Sequence, residues 1–117
     1  MAFTKKAQTF GRPSNQRRAL LRSLACSLVL HERISTTEAK AKALRPFIER
    51  LVTYAKKNTL ATRRFTVAKL GDPVATKKLF TVIAPRYKSR TGGYTRVVKR
   101  SKRGPSDARK LAYISFV

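Results

Sequence analysis

The 117-residue sequence has few of the residues that build chemical sites or disulfide frameworks. It contains one cysteine, one histidine and no tryptophan, and five acidic residues stand against 28 lysines and arginines. A single cysteine excludes an internal disulfide and favours a reducing compartment. No stretch approaches the run of about 18 apolar residues that a membrane helix needs. We therefore expect neither a disulfide-rich secreted protein nor a membrane-spanning one.

The scarcity of acids, histidine and cysteine also argues against an enzyme. Cys26 and His31 are five residues apart on a predicted helix and point about 140° away from each other, so they cannot share a metal site. There is no glycine-rich phosphate loop and no nucleophilic serine elbow. No pair for general acid–base work is expected, because the acidic residues are scattered: Glu32, Glu38, Glu49, Asp72 and Asp107. We expect no catalytic residue, no metal and no cofactor.

The dominant feature of the chain is its positive charge, with a formal net value of +23. Residues 1–22 contain six basic residues and no acidic one, and residues 84–110 contain ten basic residues and one acidic residue. A chain with this much self-repulsion is expected to bind a polyanion. Its 42% apolar composition nevertheless indicates a packed core. We predict a basic N-terminal arm at 1–13 and a single domain at 14–117.

The hydrophobic pattern predicts an α+β fold, with about four helices packed on a small antiparallel sheet. Helices are predicted at about residues 15–30, 38–57, 60–70 and 73–83. The second should bend or restart near Arg45, because Pro46 cannot donate a backbone hydrogen bond. Alternating residues predict a hairpin from 94–100 and 111–117, which a short strand at 33–36 can join. The segment 84–93 is predicted to be a basic loop.

Three arginines crowd the first two turns of the first predicted helix. Arg17, Arg18 and Arg22 oppose the helix dipole there, and Arg18 and Arg22 are a like-charge pair four residues apart. Each effect costs only a few tenths of a kcal/mol, yet both are unfavourable for the isolated fold. Contact with phosphate groups would reverse both, so this cluster indicates nucleic-acid binding.

The stretch from residue 85 to residue 96 combines four cations, two tyrosines and a Gly-Gly pair. Arginine and lysine neutralise phosphates, and an exposed tyrosine can stack on an unpaired base. This combination is typical of a segment that lies on RNA. The alternative interpretation is a solvated loop in which Tyr87 and Tyr94 anchor the chain to the core.

Several blocks of residues carry a resemblance to a known family. They include His-Glu-Arg-Ile-Ser-Thr-Thr at 31–37, Ala-Lys-Ala-Lys-Ala-Leu-Arg-Pro at 39–46, Gly-Gly-Tyr-Thr-Arg at 92–96 and Ala-Tyr-Ile-Ser-Phe-Val at 112–117. Over about residues 11–117 the sequence resembles the seventeenth large-subunit ribosomal protein family of bacteria and organelles. It departs from that family in residues 1–10, and at Gln16, where a histidine is common.

The resemblance implies helices packed on a small sheet and a structural role in the large ribosomal subunit. The implied partners are 23S-type ribosomal RNA and neighbouring ribosomal proteins near the peptide exit tunnel, in the cytoplasm or an organelle matrix. No homo-oligomer is expected. The residues expected to contact RNA are Lys5, Lys6, Arg12, Arg17, Arg18, Arg22, His31, Arg33, Lys40, Lys42, Arg45, Arg86, Tyr87, Lys88, Arg90, Tyr94, Arg96, Lys99, Arg100, Lys102 and Arg103.

A DNA-binding, nucleoid-type protein is the alternative function, because it would share the strong positive charge. Four helices could also supply a helix–turn–helix pair. Against this alternative, the cations lie on predicted arms and loops rather than on one recognition helix.

Overall fold

The structure, a computed structural model, describes residues 14–103 and 109–117 and has an α+β architecture. The α+β prediction is therefore confirmed. The elements, in chain order, are α1 (Ser14–His31), β1 (Arg33–Thr37), α2 (Glu38–Lys57), α3 (Leu60–Leu70), α4 (Pro73–Lys78), a π-helical turn (Leu79–Ile83), α5 (Ala84–Arg86), β2 (Thr95–Arg103) and β3 (Lys110–Phe116).

Local capping signals set most of the helix ends. The side chain of Thr37 caps α2, and Thr59 and Thr62 form a reciprocal capping box at the start of α3. Gly71 ends α3 with a positive φ of 66°, a left-handed conformation that costs glycine little. Asp72 then accepts two backbone hydrogen bonds at the start of α4. These signals explain why the predicted bounds of α2 and α3 are confirmed.

Two prolines lie inside helical segments, Pro46 in α2 and Pro85 in α5. The helix α2 runs through Pro46 as one element, so of the predicted bend or restart near Arg45 the restart does not occur, and the bend stays a prediction. The fourth helix does not end at Ile83 but continues through a π turn into α5, which contains Pro85. A proline ring clashes with the carbonyl four residues earlier, and the wider π turn relieves that clash. The segment predicted as a loop from residue 84 therefore starts with a helical turn.

The three strands form one antiparallel sheet in the order β1-β3-β2, with the C-terminal strand in the middle. The prediction that residues 33–36 join the hairpin is confirmed. Ile34 and Val97 both lie opposite Ile114, and this row belongs to the apolar inner face. Because side chains alternate along a strand, the neighbouring residues Arg33 and Tyr113 belong to the opposite, outer face.

The core lies between the inner face of the sheet and the helices. Its largest fully buried side chains come from every layer: Leu28, Leu44, Ile48, Leu51, Leu70, Leu79, Ile83, Tyr94 and Ile114. Burying one leucine or isoleucine side chain contributes about 1.5–3 kcal/mol, so this cluster dominates the stability of the domain. No helix among the described residues is both long enough and apolar enough to cross a membrane. The helices cover one face of the sheet, and no described helix covers the outer face.

Candidate nucleic-acid interface

The three arginines at the start of α1 do not share one role. Arg18 is exposed, and Arg17 is half-buried with an Nε that has no hydrogen-bond partner among the described residues. Arg22 instead reaches the end of α3, where its Nε donates to the carbonyl of Lys69 at 3.1 Å. Its side chain also packs against Gly71. A cation at a helix C-terminus is favourable, so Arg22 stabilises the fold, while Arg17 and Arg18 have no such contact.

The basic residues predicted on α2 are divided between ion pairs and solvent. The Nζ of Lys42 lies 2.9 Å from Glu38, and the Nζ of Lys99, from β2, lies 3.6 Å from the same carboxylate. The hydrogen bond from Lys42 holds the pKa of Glu38 below its usual value, and the charge of Lys99 adds to this effect. Arg45 pairs with Glu49 at 3.2 Å. Lys40 forms no ion pair within the described part of the chain.

Arg86 is held by an acidic residue at the end of α1. Its Nη1 lies 2.5 Å from Oε1 of Glu32, and Lys78 lies 3.4 Å from the same carboxylate. The hydrogen bond from Arg86 lowers the pKa of Glu32, and the same bond raises the pKa of Arg86. Glu32 has a positive φ of 63°, so it ends α1 in the left-handed conformation. This ion pair joins the ends of α1 and α5.

Tyr87 and Tyr94 are core residues, which corrects the expectation that they stack on bases. Their exposed fractions are 4% and 2%, and their ring centroids lie 5.3 Å apart. The hydroxyl of Tyr87 donates to the carbonyl of Val117 at 2.6 Å, and Lys56 donates to the hydroxyl of Tyr94 at 3.0 Å. Burial alone would raise the pKa of Tyr94, but its hydrogen bonds with Lys56 and Thr53 leave that pKa below its ordinary value. The rings anchor this segment and are closed to a base.

The remaining cations near this segment face solvent. Arg90 is exposed and donates from Nε to the carbonyl of Gly92 at 3.1 Å, while Lys56 donates to the carbonyl of Arg90. His31, Lys88 and Arg96 are also exposed. None of their side chains forms a hydrogen bond or an ion pair with another described residue. These residues are free to meet an anionic partner.

On the outer face of the sheet, the predicted contact residues Arg33 and Arg100 lie on either edge strand beside Tyr113, which was not among the predicted contacts. The guanidinium carbons of Arg33 and Arg100 lie 3.9 and 4.9 Å from the ring centroid of Tyr113. Arg100 also donates to the hydroxyl of Ser35 at 2.8 Å. Two residues from the two edge strands thus converge on the middle strand.

Some of the predicted residues lie outside the described part of the chain. Lys5, Lys6 and Arg12 belong to the predicted arm at 1–13, which the described residues do not include. Lys102 and Arg103 lie in β2 by their backbone, but their side chains are outside the description, as are residues 104–108.

Metal and thiol chemistry find no support in the described residues. No group of three His, Cys, Asp or Glu among residues 14–103 and 109–117 could hold a metal ion. The Sγ of Cys26 donates to the carbonyl of Leu70 at 3.3 Å. Burial, and then the charge of Asp72, raises the pKa of Cys26, so little reactive thiolate forms at neutral pH.

Comparison with known proteins decides between the two functional classes that the sequence left open. The sequence profile described as Ribosomal protein L17 matches residues 20–117. The chain belongs to the ribosomal protein L17 family. It is therefore a structural component of the ribosome and not an enzyme, and the resemblance stated from the sequence is confirmed. The DNA-binding alternative has no comparable support.

Three relatives in this family match over nearly their full length. The large ribosomal subunit protein bL17 of Hydrogenobaculum sp. (strain Y04AAS1) is 55% identical over 112 residues, covering 96% of this chain and 95% of the relative. The same protein of Thermomicrobium roseum is 50% identical and covers 100% of this chain and 99% of its own. That of Fusobacterium nucleatum subsp. nucleatum is 44% identical, with 100% of both chains covered.

Two features of the site could not be found by residue type alone. The contact of Arg22 with the end of α3 joins residues 47 positions apart, and no local pattern marks it. Tyr113 was missed, although the alternation in β3 carries a usable signal. Ala112 and Ile114 are fully buried, so Tyr113 between them has to face the other way. This L17-family protein thus presents the side chain of Tyr113 on the outer face of its sheet.

Proposed function

We propose that the protein is a structural constituent of the large ribosomal subunit and binds its 23S-type RNA together with neighbouring ribosomal proteins near the peptide exit tunnel. The printed names of its relatives, large ribosomal subunit protein bL17, support the subunit assignment. The position near the exit tunnel rests on the sequence resemblance. The observation that carries the RNA-binding proposal is how the few acidic groups are used.

The described acidic residues are already engaged within the fold. Glu32, Glu38 and Glu49 each pair with lysine or arginine, and Glu49 also accepts a hydrogen bond from Thr95 at 3.1 Å. Asp72 caps the backbone of α4. Within residues 14–103 and 109–117, no side-chain carboxylate is left over for the other described cations, in a chain with a net charge of +23. The compensating anions must come from a partner, and RNA supplies one phosphate per nucleotide.

The cations differ in how free they are to contact RNA. Arg22 serves the end of α3, and Tyr87 and Tyr94 serve the core, so we remove these three from the proposed contacts. Four residues in exposed ion pairs remain secondary candidates, because such pairs contribute little and a phosphate can compete for them: Lys42, Arg45, Arg86 and Lys99. The primary proposed contacts are Lys5, Lys6, Arg12, Arg17, Arg18, His31, Arg33, Lys40, Lys88, Arg90, Arg96, Arg100, Lys102 and Arg103.

Salt titration of binding to large-subunit RNA tests this proposal. The logarithm of affinity should fall linearly with the logarithm of salt concentration, with a slope of about −0.7 to −0.9 for each contacted phosphate. With several contacts we expect a slope of about −4 or steeper. Replacing Arg18, Lys88 and Arg96 together by glutamine should make the slope less steep by about 2–3 without loss of folding.

Two outcomes would contradict the proposal. A nearly flat salt dependence would show that phosphates do not supply the affinity. Equal affinity for a random DNA duplex across the whole salt range would favour the nucleoid-type alternative. Sedimentation of a cell lysate, with crosslinking of the fraction that holds the protein, gives an independent check of the particle and of its protein neighbours.

A further inference from the structure

The outer face of the sheet differs from the other basic surfaces because its cations share an aromatic platform. Arg33 on β1 and Arg96 on β2 both lie opposite Ser115 of β3, in one row across the sheet. The next row contains Ser35, Tyr113 and Val98. Arg100 reaches this row with its guanidinium group, which lies near the Tyr113 ring. Basic, aromatic and hydroxyl groups therefore occupy neighbouring positions on three paired strands.

The two arginines nearest the ring lie close together. Since the guanidinium carbons of Arg33 and Arg100 are 3.9 and 4.9 Å from one centroid, they are within about 9 Å of each other. That separation is similar to the screening length of physiological salt, so their mutual repulsion is only partly screened. Contact with the negative face of the Tyr113 ring offsets part of it. An anion held between the two groups would remove the rest.

No acidic residue among the described strand positions supplies that anion. Among the described side chains, those on the outer face belong to Arg33, Ser35, Thr37, Arg96, Val98, Arg100, Leu111, Tyr113 and Ser115. The nearest glutamates along the chain are engaged elsewhere, Glu32 with Arg86 and Lys78, and Glu38 with Lys42 and Lys99. The place for an anion is therefore open to an external group.

The arrangement also fixes the direction of one arginine. The guanidinium of Arg33 is close enough to the Tyr113 ring for a stacked contact, and its residue is exposed to solvent. A stacked guanidinium has a second flat face, on which an unpaired base can lie. Arg100 is held by Ser35 and the same ring. Both arginines are thus positioned before any partner binds, which lowers the entropic cost of binding.

We propose that Arg33, Arg100 and Tyr113 form a binding site for a single-stranded or irregular RNA segment on the outer face of the sheet. A backbone phosphate lies between the two guanidinium groups, and an unpaired base stacks on the outer side of Arg33. Tyr113 acts as the platform that orients Arg33, and Arg96 adds a further phosphate contact. This inference rests on the proposed function and assigns it to one surface and one kind of RNA structure.

Matched variants test the proposal. The outer-face variant carries Arg33→Gln and Arg100→Gln. The control carries Arg64→Gln and Lys77→Gln, which replace two exposed cations on the helices and so remove the same amount of positive charge. Affinity for a 23S-type RNA fragment is measured against salt for both variants and for the wild-type protein. We expect the outer-face variant to lose about tenfold to a hundredfold in affinity at 0.15 M salt and to bind with a slope less steep by about 1–2. The control should change each of these values much less.

Tyrosine variants separate the platform from the charge. Tyr113→Ala should weaken RNA binding by about fivefold to tenfold with the salt slope almost unchanged, whereas Tyr113→Phe keeps the ring and should bind as the wild-type protein does. Photo-crosslinking of the complex should place a nucleotide adduct on the β1 or β3 peptides. Circular dichroism and thermal unfolding of the free variants verify that each one is folded.

The results distinguish failure of this inference from failure of the proposed function. If the wild-type protein shows no salt-dependent RNA binding, the proposed function itself is wrong. If the wild-type protein binds but the outer-face variant matches the control in affinity and slope, the site on the sheet is wrong and the function stands. If the outer-face variant binds RNA normally but loses crosslinks to a protein neighbour in assembled subunits, the face is a protein interface and the inference is overturned.

Discussion

Two groups of tyrosine and arginine residues occur in this molecule, and they have opposite environments. In the first group, Tyr87 and Tyr94 are buried and bonded to other parts of the chain. In the second group, Tyr113 lies half-buried on the sheet with two arginines beside its ring. By composition the segment around Tyr87 and Tyr94 looks more like an RNA contact, because residues 85–96 contain four lysines and arginines. The comparison shows that the role of a tyrosine depends on whether its ring is buried in the core or lies on the surface, and not on the number of cations near it in the sequence.

The physical cause is where each ring lies relative to the sheet. Tyr94 lies just before β2, where it is covered by the core, while Tyr113 lies in the middle strand on the face that the helices do not cover. A buried tyrosine needs a partner for its hydroxyl, and both tyrosines of the first group have one. The first group therefore holds the end of the helical layer against the C-terminus. The second lies on the face where we propose that RNA binds.

The largest expected effect is on stability, and it compares the two groups directly. We expect Tyr87→Ala or Tyr94→Ala to lower the free energy of unfolding by about 3–5 kcal/mol, because each leaves a cavity in the core. Tyr113→Ala should cost about 1 kcal/mol or less, as its ring is partly in solvent. Urea unfolding of the free protein, followed by circular dichroism, measures all three. An equal loss for Tyr113→Ala would remove the distinction between the groups.

Much of the fold could be predicted because its signals are local. The caps at Thr37 and Thr59 and the stop at Gly71 are readable from a few residues each, and they set α2 and α3. The π turn before Pro85 could not be predicted, because its cost is offset by burial of Leu79 and Ile83 in a core formed by distant elements. The candidate site divides in the same way. Its cations could be predicted from composition, but the contacts that some of them make with distant residues could not.

What composition could not show is which cations the fold itself uses. The roles of Arg22 and Arg86 depend on partners 47 and 54 residues away in the sequence. Dense positive charge predicts a polyanion partner, but only the folded chain shows which charges are already neutralised. The expectation that Arg22 is unfavourable considered its own helix alone, and the structure shows a favourable contact with the end of another.

A second prediction separates the arginine of α1 that stabilises the fold from one that is proposed to bind RNA. Arg22→Gln should lower the free energy of unfolding by about 1–2 kcal/mol, because it removes a charged hydrogen bond to the carbonyl of Lys69 at the end of α3. Arg18→Gln, the matched control one turn earlier, should change stability by no more than about 0.5 kcal/mol and weaken RNA binding instead. The same urea unfolding and RNA titration apply to both. If Arg22→Gln is as stable as the wild-type protein, its contact with α3 contributes nothing and it returns to the RNA-binding set.

The smallest expected effect concerns Glu32, whose pKa is lowered by its hydrogen bond with Arg86. A carboxylate with a lowered pKa in the folded state stabilises the protein at pH values above its ordinary pKa of about 4.3, and this contribution is lost as pH falls through the lowered value. The ion pair is partly exposed, with 37% of the Glu32 side chain accessible, so we expect only about 0.5 kcal/mol at pH 7. Glu32→Gln keeps the shape of the side chain at this left-handed position. Unfolding from pH 7 to pH 3 should therefore show a small gap between variant and wild type that closes below about pH 4.

Glu32→Gln also shows whether Arg86 has only a structural role or contacts RNA as well. If Arg86 serves only to join α1 and α5, Glu32→Gln lowers stability slightly and leaves RNA affinity unchanged. If Arg86 also meets a phosphate, removing the competing carboxylate frees its guanidinium, and RNA affinity at low salt should rise by about twofold to threefold. Because Lys78 contacts the same carboxylate, Glu32→Gln combined with Lys78→Gln is the control. A gain that persists in that double variant is assigned to Arg86, and one that disappears is assigned to Lys78.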